Sequence, residues 1–368
     1  MRESLVVLLL SLPRGACLSG SATANSLQLL ENAFRDSTKA SGSSAPESLI
    51  RRRLTEAYQL HCPRGFGLRL DMLPMSDERM FWSQKGLEDA TGIRPAAFAP
   101  LKKPPQTFGL KMAPLESAAG LAVGAALTAA GLLQDDLSGG SAQVLARLKE
   151  LESYELILLS TVVLLSTTTL IAIADKMLLD KRLLEALAML LPQRRATVAR
   201  HEAGHFLCAH LLSVPVQACE LNPLASLSNT RLRARAGTVF LSPALEALRA
   251  GEPAQDEDVD VVSIVLMGGI AAEAVTMGHA NGGSSDERAL QALLQAHHAP
   301  RRLAQEELRA RARWAAAFAT NLLQRERAAF DALSTALAEG RSVSECALTI
   351  ERTLGTSSAG AERDPSEQ

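Results

Sequence analysis

Residues 194–214 read RRATVARHEAGHFLCAHLLSV, and the rest of the chain is best read outward from them. The stretch holds no proline, and Val198, Phe206, Leu207, Leu211 and Leu212 supply an apolar face, which predicts a helix that Pro215 ends. At its centre lies His201-Glu202-Ala203-Gly204-His205. With 7 His in a chain of 368 residues, chance alone supplies such an HExxH about 0.01 times, so the motif asks for a chemical reason. Residues four apart lie one above the other on a helix, so His201 and His205 can hold one Zn²⁺ through imidazole nitrogens. Glu202 follows the first ligand and points beside the metal. There it can take a proton from bound water, whose pKa zinc lowers from about 15.7 toward about 7. Gly204 costs this helix about 1 kcal/mol against Ala, which predicts close backbone approach by a neighbour.

A catalytic zinc needs a third protein ligand and an open fourth position. The extended form HExxHxxGxxH is absent, since Cys208 and Leu211 stand where its Gly and last His would be. Glu220 offers a carboxylate fifteen residues past His205, in a turn containing proline. The run Asp256-Glu257-Asp258-Val259-Asp260 offers others, though it reads first as a solvated helix start. His210 faces away from the pair, Cys208 reads as core, and His297 and His298 read as an exposed polar helix end.

A further stretch bears on the choice. Met267-Gly-Gly-Ile-Ala-Ala-Glu-Ala-Val-Thr-Met-Gly278, followed by Gly282-Gly-Ser-Ser-Asp286, resembles the FtsH family of membrane zinc proteases. That family has HEAGH as its zinc helix, then a helix with a Gly-Gly-x-Ala-Ala-Glu core, then a Gly-rich loop delivering an Asp. The resemblance implies His201, His205 and Asp286 as metal ligands, with Glu202 as base. Ser284 or Ser285 is expected to cap the following helix and leave the Asp286 carboxylate free to reach the metal. The likeness covers about residues 177 to 352. Its C-terminal part, Arg313-Trp314 through Cys346, is closest to the short FtsH-like proteins of plant chloroplasts, which keep the peptidase domain and lack the ATPase.

Two departures qualify it. No GxxxxGK[ST] is present, so no phosphate-cradling loop exists, and such a protein cuts already unfolded segments or depends on a partner AAA ATPase. Where the family has Asp-Leu or Asp-Ile, this chain has Asp286-Glu287. Residues 236–242 read as a strand, either an ordinary structural one or one that holds an extended peptide at its edge. Two functions from different classes follow: a zinc metalloendopeptidase, or a non-proteolytic partner or scaffold subunit of an ATP-dependent membrane protease complex.

Composition sets the surroundings. Hydrophobic residues are 47%, charged residues 21% and aromatics 4%, with a mean hydropathy of +0.07. This is slightly too apolar for an ordinary soluble chain, and the Ala, Leu and Val content favours helices. A net charge of −2 provides no field for nucleic acid. Five scattered cysteines without a CxxC pair exclude a disulfide scaffold and a cysteine zinc finger. The excess hydrophobicity falls in three places. Residues 5–12 form the core of a signal-like leader over 1–24. Residues 156–174 are nineteen uncharged positions, about 28 Å of helix, the thickness of a bilayer core. Residues 117–134 are also uncharged and contain Gly120-x-x-x-Gly124. The loop between them is acidic and both outer flanks are basic, so the two spans read as a hairpin with both ends on the cytoplasm-like side.

The expected architecture is therefore mainly α. A leader over 1–24 is followed by a Pro-containing region over 25–112, part of which could be a transit peptide. A membrane hairpin over 113–176 leads into a helical FtsH-type zinc metallopeptidase domain over 177–354 and a disordered tail over 355–368. The expected setting is a plastid (chloroplast) membrane, with polypeptide as substrate and a homo- or hetero-oligomer as a possible assembly.

Overall fold

The computed structural model of the chain describes residues 27–33, 35, 47–72, 82–98, 153–178, 182–222 and 237–361. They are mainly helical, with a single two-stranded sheet among them. The leader at 1–24, the first span at 117–134 and residues 362–368 lie outside the described residues. Contacts divide the chain into one unit from 1–102 and 189–368 and a second from 103–188.

Two crossing helices organise the first unit. Helix α5 (Pro192–Leu211) carries the HExxH sequence, with Pro192 in its first turn, where a missing N–H costs nothing. Helix α7 (Asp256–Met277) is apolar on all sides and buried from Val259 to Ala274, as a helix without a polar face must be. The two cross at glycines, because a Cβ on Gly204 would fall on the Gly268 carbonyl oxygen, and one on Gly268 would come within 2.7 Å of the Gly204 oxygen. The close approach predicted from Gly204 is thus a backbone-to-backbone contact. Helix α9 (Gln305–Arg325) packs on α7, and α10 (Arg327–Ala338) packs between α5 and α11 (Val343–Ala361). Strands β1 (Val216–Glu220) and β2 (Gly237–Phe240) pair antiparallel, followed by α6 (Pro243–Ala250). Helix α8 (Ser284–His297) follows α7 after a short loop.

Several local expectations need correction. Helix α5 stops at Leu211, before Pro215, and Ser213 turns left-handed with φ 64°. The helix can stop there because chain from another part of the sequence takes up its last carbonyls: Gly67 N–H donates to the His210 oxygen (2.9 Å) and Arg69 N–H to the Leu211 oxygen (3.0 Å). The acidic run opening α7 is only partly solvated, since Asp260 is buried against Arg311 at 2.5 Å. His297 is half-buried rather than exposed, with Nε2 2.8 Å from Asp256, and His298 is half-buried too. Residues 355–361 continue α11 instead of starting a disordered tail.

The described part of the Pro-containing region, in which the sequence shows no motif, belongs to the first unit. Helix α1 (Glu47–His61) buries Ile50, Leu54 and Tyr58, spaced four apart, and the Tyr58 hydroxyl donates to the Val216 carbonyl at 3.0 Å. Helix α2 (Gln84–Thr91), capped by Ser83 and closed by left-handed Gly92, packs on α9. Beyond it, the Ala97 carbonyl accepts from the Ala280 amide at 2.7 Å, in the loop between α7 and α8.

The second unit contains α3 (Ser153–Leu178) and α4 (Arg182–Ala188). Among the described residues two helices, α3 and α7, are long and apolar enough to cross a membrane. The α7 window is 83% buried and serves as core, whereas the α3 window, Ser160–Leu178, is 11% buried and presents Val163, Leu164, Leu165, Leu170 and Ile171 outward. Its hydroxyls do not spoil it for lipid. Thr167, Thr168 and Thr169 donate to the carbonyls of Val163, Leu164 and Leu165 at 2.8, 2.9 and 2.7 Å, leaving none of these three O–H groups without an acceptor. At its far end Asp175 accepts from the Leu183 amide at 2.8 Å. The unit boundary falls at 188/189 and places α4 with α3, twelve residues beyond the boundary expected at 176/177.

Candidate metal centre

Helix α5 places His201 and His205 one turn apart on the side facing α7. Their Nε2 atoms lie 3.1 Å apart. Asp286 enters from the first turn of α8, with Oδ2 3.1 Å from His201 Nε2 and 3.6 Å from His205 Nε2. These three of the expected ligands therefore form one group that could hold a metal ion. The N-cap of α8 is Gly283, left-handed at φ 90°, with no side-chain cap; Ser284 and Ser285 are inside the helix and do not cap it. Glycine is needed there because Ile270 fills the space a Cβ would take.

The other ring nitrogens are committed. His201 Nδ1 lies 2.7 Å from Glu273 Oε1 and His205 Nδ1 2.7 Å from the Val265 carbonyl, both acceptors on α7. In the neutral rings each Nδ1 then carries the proton, leaving each Nε2 with a lone pair directed at the shared point. Glu273 is itself fixed, its second oxygen accepting from the amides of Asn281 and Gly282. Room for an ion comes from Gly269, where a Cβ would lie 2.5 Å from both Nε2 atoms.

The electrostatics describe a place for a cation. Burial works against an imidazolium at His201, but the carboxylates of Asp286 and Glu273 outweigh it and push the pKa up to about 10. His205 is raised likewise, burial being outweighed chiefly by Asp286. Burial of Asp286 is overridden by His205 and His201, which hold its carboxyl far below the usual range. Glu273 is lowered too, its burial outweighed by the hydrogen bond with His201.

Glu202 is not among the three converging ligands. Its Oε2 accepts from the Thr238 hydroxyl on β2 at 2.8 Å. The alternative ligands are elsewhere: Glu220 ends β1 and accepts from the Asn222 amide at 2.9 Å, and Asp260 is paired with Arg311. Cys208 is buried core. His210 stands edge-on to the stacked rings of Tyr58 and Phe66, each centroid 5.6 Å away. With Cys62 and Glu351 it forms a second buried trio, but the Glu351 carboxylate is occupied, accepting from the Arg64 and Gly65 amides at 2.8 and 2.6 Å and lying 3.2 Å from His210 Nε2.

Two residues carry roles that sequence reasoning missed. Glu273 had a visible signal, as the one carboxylate inside the apolar run from Val261 to Met277. Thr238 had none, because its partner is fixed only by the strand's position beside α5. Compared with models of protein families, with curated proteins and with solved structures, the chain matches none.

Proposed function

We propose that the chain is a membrane-anchored zinc metalloendopeptidase of FtsH type that hydrolyses peptide bonds of unfolded or membrane proteins. The observation that carries this reading is the convergence of His201, His205 and Asp286, with both Nδ1 atoms committed elsewhere and Glu202 beside the group. The donor set fits zinc. Ligand atoms about 2.0–2.1 Å from one tetrahedral ion lie about 3.3 Å apart, and the separations here are 3.1, 3.1 and 3.6 Å. When bound at such a site, zinc polarises a carbonyl and makes water acidic enough to lose a proton near neutral pH. His201, His205 and Asp286 would hold the ion, and Glu273 and the Val265 carbonyl keep the rings oriented. Glu202 accepts the proton on its carboxylate and returns it to the departing amide nitrogen, a transfer worth about 10²–10⁴ in rate.

Strand β2 begins beside Glu202, and among the described residues it pairs only with β1. An extended polypeptide added along its other edge would run past the base, which supports an unfolded segment as substrate. Anchoring rests on α3. The absence of a P-loop supports a requirement for unfolded substrate or for a partner AAA ATPase, in a homo- or hetero-oligomer. The resemblance to chloroplast FtsH-like proteins supports a plastid thylakoid or envelope membrane.

The test is made on the full chain purified in detergent. Stoichiometric zinc and cleavage of unfolded casein are expected, with cleavage abolished and zinc kept in Glu202→Gln. Zinc-loaded protein that leaves casein intact, or whose cleavage is unaffected by Glu202→Gln, would sink the reading. The missing P-loop also motivates the second reading, a non-proteolytic partner or scaffold of an ATP-dependent membrane protease. Rescue of a null strain by Glu202→Gln is the result that favours it.

A further inference from the structure

A general base works best when one carboxylate oxygen is fixed and the other keeps a free lone pair toward the proton it must take. A glutamate on a helix surface does not meet that demand unaided, since its three rotatable bonds leave it many rotamers. Glu202 has a partner suited to the task. Thr238 Oγ1 lies 2.8 Å from Glu202 Oε2, within hydrogen-bonding distance and on a different element of the fold.

The threonine is itself held in place. It sits opposite Cys219 in the β1–β2 register, and its β-branched side chain has little χ1 freedom. Gly237, with φ 130°, turns the strand onto the carboxylate, and a Cβ there would already touch both Glu202 oxygens at 3.6 Å. Cys219 Sγ lies 3.4 Å from Thr238 Oγ1. Burial, reinforced by the charge of Glu202, keeps that thiol protonated, its pKa well above the usual value. The hydrogen bonds can then run in one direction only. Cys219 S–H donates to Thr238, and Thr238 O–H donates to Glu202, which as a carboxylate can only accept.

We propose that Thr238 is a positioning residue for Glu202: its hydroxyl occupies Oε2 and so leaves Oε1 as the oxygen that takes the proton. This rests on the reading of Glu202 as the base of a zinc peptidase. The consequence is a division of labour between helix and strand, in which α5 supplies the base and β2, the strand beside which substrate would lie, aims it.

The experiment uses the zinc-loaded full chain in detergent, with Thr238→Val, Thr238→Ala, Thr238→Ser and Glu202→Gln compared on an unfolded fluorogenic peptide. Valine keeps the shape and removes the donor. Both Thr238→Val and Thr238→Ala are expected to bind one zinc, keep KM within about twofold and lose about 10- to 100-fold in kcat, the worth of a hydrogen bond to a charged group. Thr238→Ser is expected to restore kcat to within about threefold. A readout apart from turnover is the affinity for acetohydroxamate, whose acidic proton the base must accept; it should weaken in Val and Ala and recover in Ser. Wild-type kcat in Thr238→Val, a loss in KM alone, or a Ser variant as poor as Val would overturn the proposal. If Val fails to fold, the contrast between Ala and Ser decides the same question. A Glu202→Gln variant that still cleaves brings down the peptidase reading itself, whereas an inactive Glu202→Gln beside a normal Thr238→Val removes only the role of Thr238.

Discussion

Replacing Gly204 by alanine is the sharpest perturbation of the α5–α7 crossing, because it adds one methyl group where two backbones meet. The new Cβ would fall on the Gly268 carbonyl oxygen, 2.7 Å from the Ala272 Cβ and 2.8 Å from the Gly268 carbonyl carbon. Carbon atoms rest about 3.5–4.0 Å apart, so the helices must separate by about 1 Å. None of the obstructing atoms belongs to a flexible side chain, which places the overpacking cost near the upper end of about 1–3 kcal/mol. Helix propensity returns about 1 kcal/mol of that. The net is about 2 kcal/mol, or about 4–8 °C in thermal midpoint for a unit of this size. The site should suffer more than the fold. The His201–Glu273 and His205–Val265 hydrogen bonds, both 2.7 Å, span the same crossing, and an opening of about 1 Å takes them to the edge of bonding distance. Zinc affinity should then fall about 10- to 100-fold. Circular dichroism melting and competition with a chromophoric chelator measure the two effects. Gly86→Ala on α2 is the control, since its Cβ meets nothing closer than 3.5 Å, and it should be neutral or stabilise by up to about 1 kcal/mol. A Gly204→Ala protein that melts at or above wild type with unchanged zinc affinity would refute the reasoning.

Other expectations follow from the same geometry. Asp286→Ala should lose zinc, and equal metal content in variant and wild type, measured by atomic emission, would show that the third ligand lies elsewhere. Glu273→Gln puts an N–H₂ group among the amides of Asn281 and Gly282, so zinc affinity should drop about 10- to 100-fold by chelator competition while the helical circular dichroism signal is kept. Glu351→Ala leaves the Arg64 and Gly65 amides and His210 without their shared acceptor. It should cost about 3–5 kcal/mol, read as a lowered melting temperature and faster proteolysis within 47–72. The metal-free protein should lose stability as pH rises from neutral toward 10. His201 has a folded pKa raised to about 10 against about 6.5 when unfolded, so its contribution is complete below the lower value and gone above the higher. A chelated protein whose melting temperature holds constant over that window contradicts this.

What could be read from sequence was local. The 201–205 motif needs only helical spacing, and residue type and period reveal a helix from Arg194 onward. Asp286 was reached through the pattern of the loop before it. The end of α5 was not legible, because its carbonyls are taken by Gly67 and Arg69, amides more than a hundred residues away. The same holds for residues 47–98. The four-residue spacing of Ile50, Leu54 and Tyr58 marks a helix face, but the partners it meets lie far along the chain, as in the Tyr58–Val216 hydrogen bond and the Arg51–Glu246 pair, and no local pattern names them. The cap of α8 was misread because serine is the commoner cap, whereas packing against Ile270 demands the left-handed Gly283.

The amides of Gly67 and Arg69 on the last turn of α5 also bear on membrane topology. They precede α3 in the chain, while α5 follows it, yet both belong to one folded unit. A chain whose two ends share a folded unit can pass through a bilayer only an even number of times between them. If α3 crosses, one more crossing is needed between Arg69 and α5, and the other long uncharged stretch of the sequence in that interval is 117–134. Synthesis order adds a constraint: residues 47–72 emerge first and must wait on the correct side until the helix they terminate has been made. A fusion that carries the N-terminus across the membrane should therefore cost the first unit its fold, even though every residue of the candidate metal centre is intact.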